Sequence, residues 1–339
     1  MRSFASDNNS GVHPTILQAL LQANTDHAVG YGDDKWTQAA QATFKQAFGE
    51  QAETFLVFNG TGANSVALQA ITRPYHAIIT TKTAHIFVDE CGAPAKMSGC
   101  TLFPVETPDG KLTVEHIKPF LGYKGSCHHP QPKVVYISQT TELGTIYTLD
   151  ELRTLSTFLH ENDMFLHMDG ARLANACAQL GCTFKEATVD VGVDLLSFGG
   201  TKNGMMLGEA VVCFLPNISQ EIAYIRKQSA QLSSKMRYLS AQYIPYFENE
   251  LWRENATKAN HMAARLKEAL SHYPSVCFTQ KVESNQLFFS LPRKAIDRLL
   301  EKHFFYIWNA QNNEIRLVTS WDTTEQDIAQ MIESFEEVL

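Results

Sequence analysis

Short apolar, β-branched runs alternate with helix-compatible segments through the first two-thirds of the 339-residue chain, and this alternation leaves few architectures open. The runs are TFLVF (54–58), HAIIT (76–80), TLFPV (101–105), KVVYIS (133–138), MFLHM (164–168), LLSF (195–198) and AVVCFL (210–215). Helix-compatible stretches lie between several of them, at 63–71, 113–121, 149–160 and 171–180. Thr148 followed three residues later by Glu151 has the form of a capped helix start. Such a pattern predicts an α/β fold, a mostly parallel sheet with helices on both faces. After Pro216 the character changes. Residues 218–250 read as largely helical and polar, interrupted by Pro245, and a second helix spans 251–271. Shorter strand-like and helical runs then alternate to the end, predicting a small α+β layer. The division expected is an N-terminal arm (1–12), a large domain (13–245) and a small C-terminal domain (246–339).

Bulk composition removes several classes of function. With 44% hydrophobic and 19% charged residues the chain is an ordinary globular protein. Its net charge of −8 argues against a nucleic-acid partner, which needs a basic face. No run of roughly 18 apolar residues predicts a membrane span, and the start, MRSFASDNNSGVHP, lacks the apolar core of a secretory signal. Seven scattered cysteines without a CxxC pair read as reduced thiols of a cytoplasmic protein. No histidine or cysteine cluster has metal-ligand spacing.

In open α/β sheets ligands bind beyond the carboxyl ends of the strands. Four polar clusters follow predicted strands: NGTGAN (59–64), QTTELG (139–144), DGAR (169–172) and GGTK (199–202). In a parallel sheet all four converge on one edge. Glycines in NGTGAN let backbone N–H groups approach an anion at a helix start, or serve a strand-to-helix turn through left-handed geometry. A dinucleotide fingerprint is the rival, but Ser65 holds the place of its last glycine and no acidic residue ends the next strand. Asp169 is either a helix N-cap or an acceptor that keeps a ring N–H protonated. Arg172 lies on the same side and can face an anionic oxygen. Lys202 is a solvated loop residue or, desolvated beside positive charge, an amine able to bond a carbonyl carbon. Together an anion cradle, a carboxylate, an arginine and a lysine are the parts needed to hold pyridoxal 5'-phosphate.

Over nearly its whole length the chain resembles the low-specificity L-threonine aldolases of the β-eliminating lyase group, fold type I pyridoxal-phosphate enzymes. The resemblance rests on SDNNSG (6–11), YGDD (31–34), FNGTGAN (58–64), TAHIFVDECGAP (83–94), TTELGTIY (140–147), HMDGARLANA (167–176), GGTKNG (199–204) and IRLVTSW (315–321). It implies a homotetramer, a pair of dimers with shared sites, acting on a small amino-acid substrate. By position it implies that Lys202 bonds the cofactor aldehyde and that Asp169 pairs with the pyridine nitrogen. Arg172 would sit by the ring oxygen and the substrate carboxylate. Gly60, Thr61 and Thr201 would hold the phosphate side, and His85 would stack on the ring. Ser6 and Arg316 would take the substrate carboxylate, while Tyr31 and Arg237 would reach a neighbour's site.

One position departs from the family pattern. Better-known bacterial members carry a histidine near the substrate β-hydroxyl where this chain has Glu142, which bears on threo/erythro preference and on β-aryl substrates such as phenylserine. Glu142, His85 or a water near it are the candidate bases for a retro-aldol cleavage to glycine and an aldehyde. Fold and cofactor alone do not choose between this and a β-eliminating lyase, a transaminase or a decarboxylase. A nicotinamide-dependent dehydrogenase and a non-catalytic binding module are the readings from other classes.

Overall fold

The computed structural model describes residues 3–339. Its large sheet contains β1 (Glu53–Val57), β2 (His76–Thr81), β3 (Thr101–Val105), β4 (Gln131–Ser138), β5 (Phe165–Gly170), β6 (Leu195–Gly199) and β7 (Glu209–Cys213), in spatial order β1-β7-β6-β5-β4-β2-β3. Strands β2 to β6 pair in parallel. Only β7 runs against the rest, since it is antiparallel to both β6 and β1. The carboxyl end of β1 therefore shares an edge with those of β4, β5 and β6, and so does the start of β7. The α/β fold with a mostly parallel sheet is the one the alternating pattern predicts.

Central strands carry nearly continuous buried side chains, as a sheet covered on both faces requires. Phe198 of β6 shows how this positions the site. Its ring lies edge-on to Phe44, Phe48 and Phe184 at centroid distances of 5.8, 5.2 and 5.1 Å. It stacks on Phe247 at 5.8 Å. Each such pair contributes about 0.5–1.5 kcal/mol beyond area burial, which fixes the strand end from which Lys202 projects.

A second sheet, order β10-β11-β9-β8, is formed by β8 (Cys277–Phe278), β9 (Gln286–Ser290), β10 (Tyr306–Asn309) and β11 (Glu314–Val318). Helices Leu251–Leu270, Arg293–Leu300 and Glu325–Val338 cover it. The N-terminal segment joins this layer. Phe4 is buried in its core, donates its N–H to Phe304 and accepts from Val318 N–H.

The stretch 218–250 differs from its sequence expectation. Helix Arg237–Phe247 runs through Pro245 and buries Leu239, Ala241, Tyr243 and Tyr246, so it is not a polar surface helix. The helical run breaks instead at 229–236, and again at Asn249 and Glu250, both at positive φ (51° and 55°). Pro245 removes one i→i−4 donor, and the helix continues only two residues beyond it.

Candidate functional site

The strand tips enclose a cavity of about 400 Å³ with Gly60, Thr61, His85, Asp169, Thr201 and Lys202 in its wall. A second cavity of about 500 Å³ shares His85, Glu142, Arg172 and Lys202 with it and adds Ser6 and Arg316. The four polar clusters do meet at one edge, because β1 is turned into register by the single antiparallel strand between it and β6.

Helix Gly60–Ile71 starts at the cavity, earlier than the predicted 63–71, with Asn59 as N-cap. Asn59 Oδ1 accepts from Gly62 N–H at 2.8 Å and its carbonyl accepts from Ala63 N–H. The N–H groups of Gly60 and Thr61 remain for a ligand, at the positive end of the helix dipole. Neither Gly60 nor Gly62 has positive φ, so left-handed turn geometry is not why glycine stands here. At Gly62 a Cβ would meet the Gln231 side chain, whose Oε1 accepts from Phe58 N–H at 2.9 Å. At Gly60 a Cβ would enter open space.

Asp169 is buried at 8% exposure and is the penultimate residue of β5. It is not a helix N-cap: the following helix, Leu173–Leu180, has Arg172 at that position. Asp169 Oδ2 accepts from Tyr136 OH at 2.6 Å and Asn64 Nδ2 at 3.0 Å, and Oδ1 from Ala171 N–H at 2.9 Å. Burial alone would raise its pKa. Those side-chain hydrogen bonds, with the charges of Lys202 and His85, outweigh burial and hold it below the ordinary value. Tyr136, pushed far up by burial and by Asp169, stays a neutral donor. A carboxylate kept ionised at the back of a cavity suits a cationic ring nitrogen.

Lys202 sits on the one-turn 3₁₀ helix Thr201–Asn203. Asn203 clamps that turn, donating to Tyr246 OH at 3.0 Å and Trp252 O at 2.8 Å, while its own carbonyl accepts from Asn255 at 2.9 Å. Burial first, and then the Arg172 charge, lower the Lys202 pKa; Asp7, Asp169 and Glu209 oppose them. Arg172 is bound bidentately to Asp7, Nε to Oδ2 at 2.7 Å and the terminal nitrogen to Oδ1 at 2.9 Å.

His85 opens the short helix His85–Val88. Its Nδ1 is 2.7 Å from Glu90 Oε1, and its backbone N–H donates to Glu142 Oε1 at 2.8 Å. The Glu90 hydrogen bond raises the His85 pKa against burial, with Asp169 adding to it and Lys202 opposing. Glu142 Oε1 also accepts from Ser138 Oγ at 2.6 Å. Burial pushes the Glu142 carboxyl up, although Ser138 and the His85 N–H restrain it.

Arg316 of β11 packs its guanidinium over Trp308 and Tyr306 at 5.0 and 5.7 Å and donates to Ala5 O at 3.1 Å. Its Nε is buried without a partner among the described residues. Burial, then the nearby Arg172, lowers its pKa to about 10. Ser6 caps the 3₁₀ turn Asp7–Asn9, accepting from Asn8 N–H at 3.2 Å, and also lines the second cavity. Tyr31 and Arg237 do not line either cavity of their own chain. Tyr31 is 55% exposed beneath Lys227, and Arg237 donates to the Thr25 and Asp26 carbonyls at 3.2 and 2.9 Å.

Five residues that sequence reasoning did not single out shape the site: Asp7, Asn64, Glu90, Tyr136 and Glu209. Tyr136 points from the middle of a strand. Asp7, Asn64 and Glu90 sit inside stretches of the family pattern yet act through other residues. Glu209 opens a strand rather than following one. It reaches the edge only because β7 is antiparallel, where it pairs with Gly199. A Cβ on Gly199 would strike its carboxylate. Burial raises Glu209 to about 8 despite a hydrogen bond from Thr201 and the Lys202 charge.

Known proteins resemble the chain along its full length. A low specificity L-threonine aldolase of Pseudomonas sp. is 41% identical over 97% of this chain and 96% of its own. The solved structure of Leishmania major threonine aldolase superposes with a TM-score of 0.92 at 32% identity, covering 99% of both chains. Sphingomonas wittichii serine palmitoyltransferase shares the fold alone, with a TM-score of 0.75 at 14% identity over 99% of this chain and 86% of its own. The family model described as beta-eliminating lyase matches residues 3–292. With that match and full-length relatives of this similarity, the chain belongs to the beta-eliminating lyase family.

Proposed function

We propose that this protein is a pyridoxal-phosphate-dependent aldolase that cleaves L-threonine, L-allo-threonine or related β-hydroxy-α-amino acids to glycine and an aldehyde. One observation carries the reading. Lys202, an amine of lowered pKa with no protein partner among the described residues, shares a cavity with an ionised Asp169 and a free helix N-terminus. The residues present fit the cofactor: Gly60 and Thr61 N–H groups, with the Thr61 and Thr201 hydroxyls, would hold its phosphate. Asp169 would keep its ring nitrogen protonated, His85 would lie on the ring face, and Lys202 would hold its aldehyde carbon. When bound, pyridoxal 5'-phosphate supplies the carbonyl that captures the substrate amine and the ring that takes up the electrons released at Cα.

The chain's own residues do the rest. Arg316, Ser6 and the remaining N–H of Arg172 would bind the substrate carboxylate and hold the Cα–Cβ bond across the ring plane. Glu142 or His85, or a water between them, would accept the β-hydroxyl proton. A Lys202 amine of lowered pKa can return a proton to Cα. Tyr306 and Trp308, which line the second cavity with Glu142, would face the aryl group of a substrate such as phenylserine.

We also read the protein as a homotetramer, a dimer of dimers in which Tyr31 and Arg237 approach a neighbour's cavity. Exposed Phe58 and Leu207, which line the cavity, and exposed Phe87 and Val88 support a covered rim. Free cysteines fit the cytoplasm; among the described residues no helix is long and apolar enough to cross a membrane. The division we favour remains 1–12, 13–245 and 246–339, supported by one sheet within 53–213 and another within 277–318. The test is product identity: acetaldehyde plus glycine from L-threonine supports the aldolase, whereas pyruvate plus ammonia from serine alone moves the chain to elimination chemistry.

A further inference from the structure

Glu90 lies just beyond helix His85–Val88 with its side chain fully buried. It lines neither cavity. Its Oε1 is 2.7 Å from His85 Nδ1 and accepts from Asn64 Nδ2 at 2.8 Å. The same Asn64 amide reaches Asp169 Oδ2 at 3.0 Å. One buried carboxylate therefore stands a single hydrogen bond from the histidine on one side of the cavity. It stands two from the aspartate at its back. Among the described residues Glu90 Oε2 is buried without a partner, so the contacts of this carboxylate all fall on its other oxygen.

Glu90 Oε1 already acts as an acceptor towards Asn64, so in the 2.7 Å contact it accepts again and the proton lies on His85 Nδ1. In neutral His85 this leaves Nε2 as the acceptor. We propose that Glu90 is a positioning residue that locks His85 in the Nδ1–H tautomer and stabilises its doubly protonated form, so that Nε2 exchanges protons with the ligand. The inference rests on the reading of His85 as the group on the cofactor's ring face. The proton balance closes: a proton taken from a substrate hydroxyl onto Nε2 gives an imidazolium whose charge faces Glu90, and its return restores the neutral ring.

Other charges face the same imidazole. Asp169 from β5 acts with Glu90, and Lys202 from the turn after β6 acts against it. Glu142, from the loop after β4, binds the His85 backbone N–H, and Arg172 and Asp89 line the second cavity with it. Of these, Glu90 alone touches the ring. It also supplies the largest influence raising the His85 pKa.

The test uses the protein stripped of cofactor. Diethyl pyrocarbonate reacts with neutral imidazole, and peptide mass spectrometry follows its rate at His85 against pH. In the wild type the midpoint is expected above the free-imidazole value of about 6.5. Glu90→Gln keeps an oxygen for Asn64 and His85 but removes the charge. It should drop the midpoint by about one pH unit or more, and the acidic limb of kcat/KM should follow. Glu90→Asp should keep the midpoint raised. A Glu90→Gln profile that superimposes on the wild type overturns the proposal, as does a wild-type midpoint at or below 6.5, which needs no variant. Pyridoxal-phosphate binding by the wild type, read from its absorbance, is scored separately. Failure there sinks the cofactor reading and leaves the His85–Glu90 result standing on its own.

Discussion

Asp7 and Arg172 form a bidentate ion pair that ties the N-terminal segment to the end of β5, with contacts of 2.7 and 2.9 Å. Asp7 is fully buried and Arg172 nearly so. Asn285 adds a third contact to Asp7 at 3.0 Å. The arginine expected to serve a ligand is thus oriented by a carboxylate of its own chain and has one terminal nitrogen to spare.

Removing Asp7 leaves that guanidinium buried and uncompensated. Asp7→Ala is expected to destabilise the protein by about 3 kcal/mol in chemical denaturation and to raise KM for the amino-acid substrate. The Asp7 pKa is lowered in the fold, chiefly by Arg172 and Lys202 acting against burial. Its contribution is therefore present above the ordinary carboxylate range and is lost as pH falls through the folded value. An Asp7→Ala protein as stable as the wild type at neutral pH would contradict this.

Glu209 predicts the opposite slope. Its pKa rises from 4.5 to about 8 in the fold. The folded state holds a proton there that the unfolded state has released, so this contribution is complete below pH 4.5 and is lost as pH rises towards 8. In cofactor-free protein, Glu209→Gln should flatten the fall in Tm between pH 5 and pH 8 relative to wild type. Parallel Tm curves for the two proteins would count against it.

Arg316 holds its guanidinium over the Trp308 ring with its Nε unpartnered among the described residues, which leaves the fork available to a carboxylate. Lysine keeps the charge and loses the fork. Arg316→Lys is expected to raise KM for L-threonine by about 10- to 100-fold, the worth of a charged hydrogen bond, with cofactor absorbance unchanged. Steady-state kinetics beside a cofactor titration checks both halves.

Glu142 separates the candidate bases. Glutamine at 142 preserves an acceptor for the His85 N–H and Ser138 hydroxyl but cannot take a proton. A fall in kcat of about 100-fold or more for Glu142→Gln assigns the β-hydroxyl proton to this carboxylate. A change below about threefold removes that role from Glu142 and leaves it to His85 or to a water beside it.

The alternation of strand and helix made the parallel sheet legible, and with it the convergence of Gly60, Asp169 and Lys202. Periodicity does not report strand direction, so the reversed β7 and Glu209 at its start stayed hidden. Nor does it report which polar side chain faces another. Asn64, Tyr136 and Glu90 join the site through hydrogen bonds to Asp169 and His85 that only the folded chain brings together. Pro245 read as a break because proline removes a helix donor; the helix Arg237–Phe247 nevertheless runs two residues past it, and the chain turns at Asn249 and Glu250, whose positive φ the sequence does not announce.

Borohydride reduction of the purified holoprotein, followed by peptide mapping, tests the central claim most directly. The account predicts a visible absorbance band that reduction abolishes and a phosphopyridoxyl group on the peptide containing Lys202 alone. A colourless protein, or an adduct on another lysine with Lys202 unmodified, would contradict it.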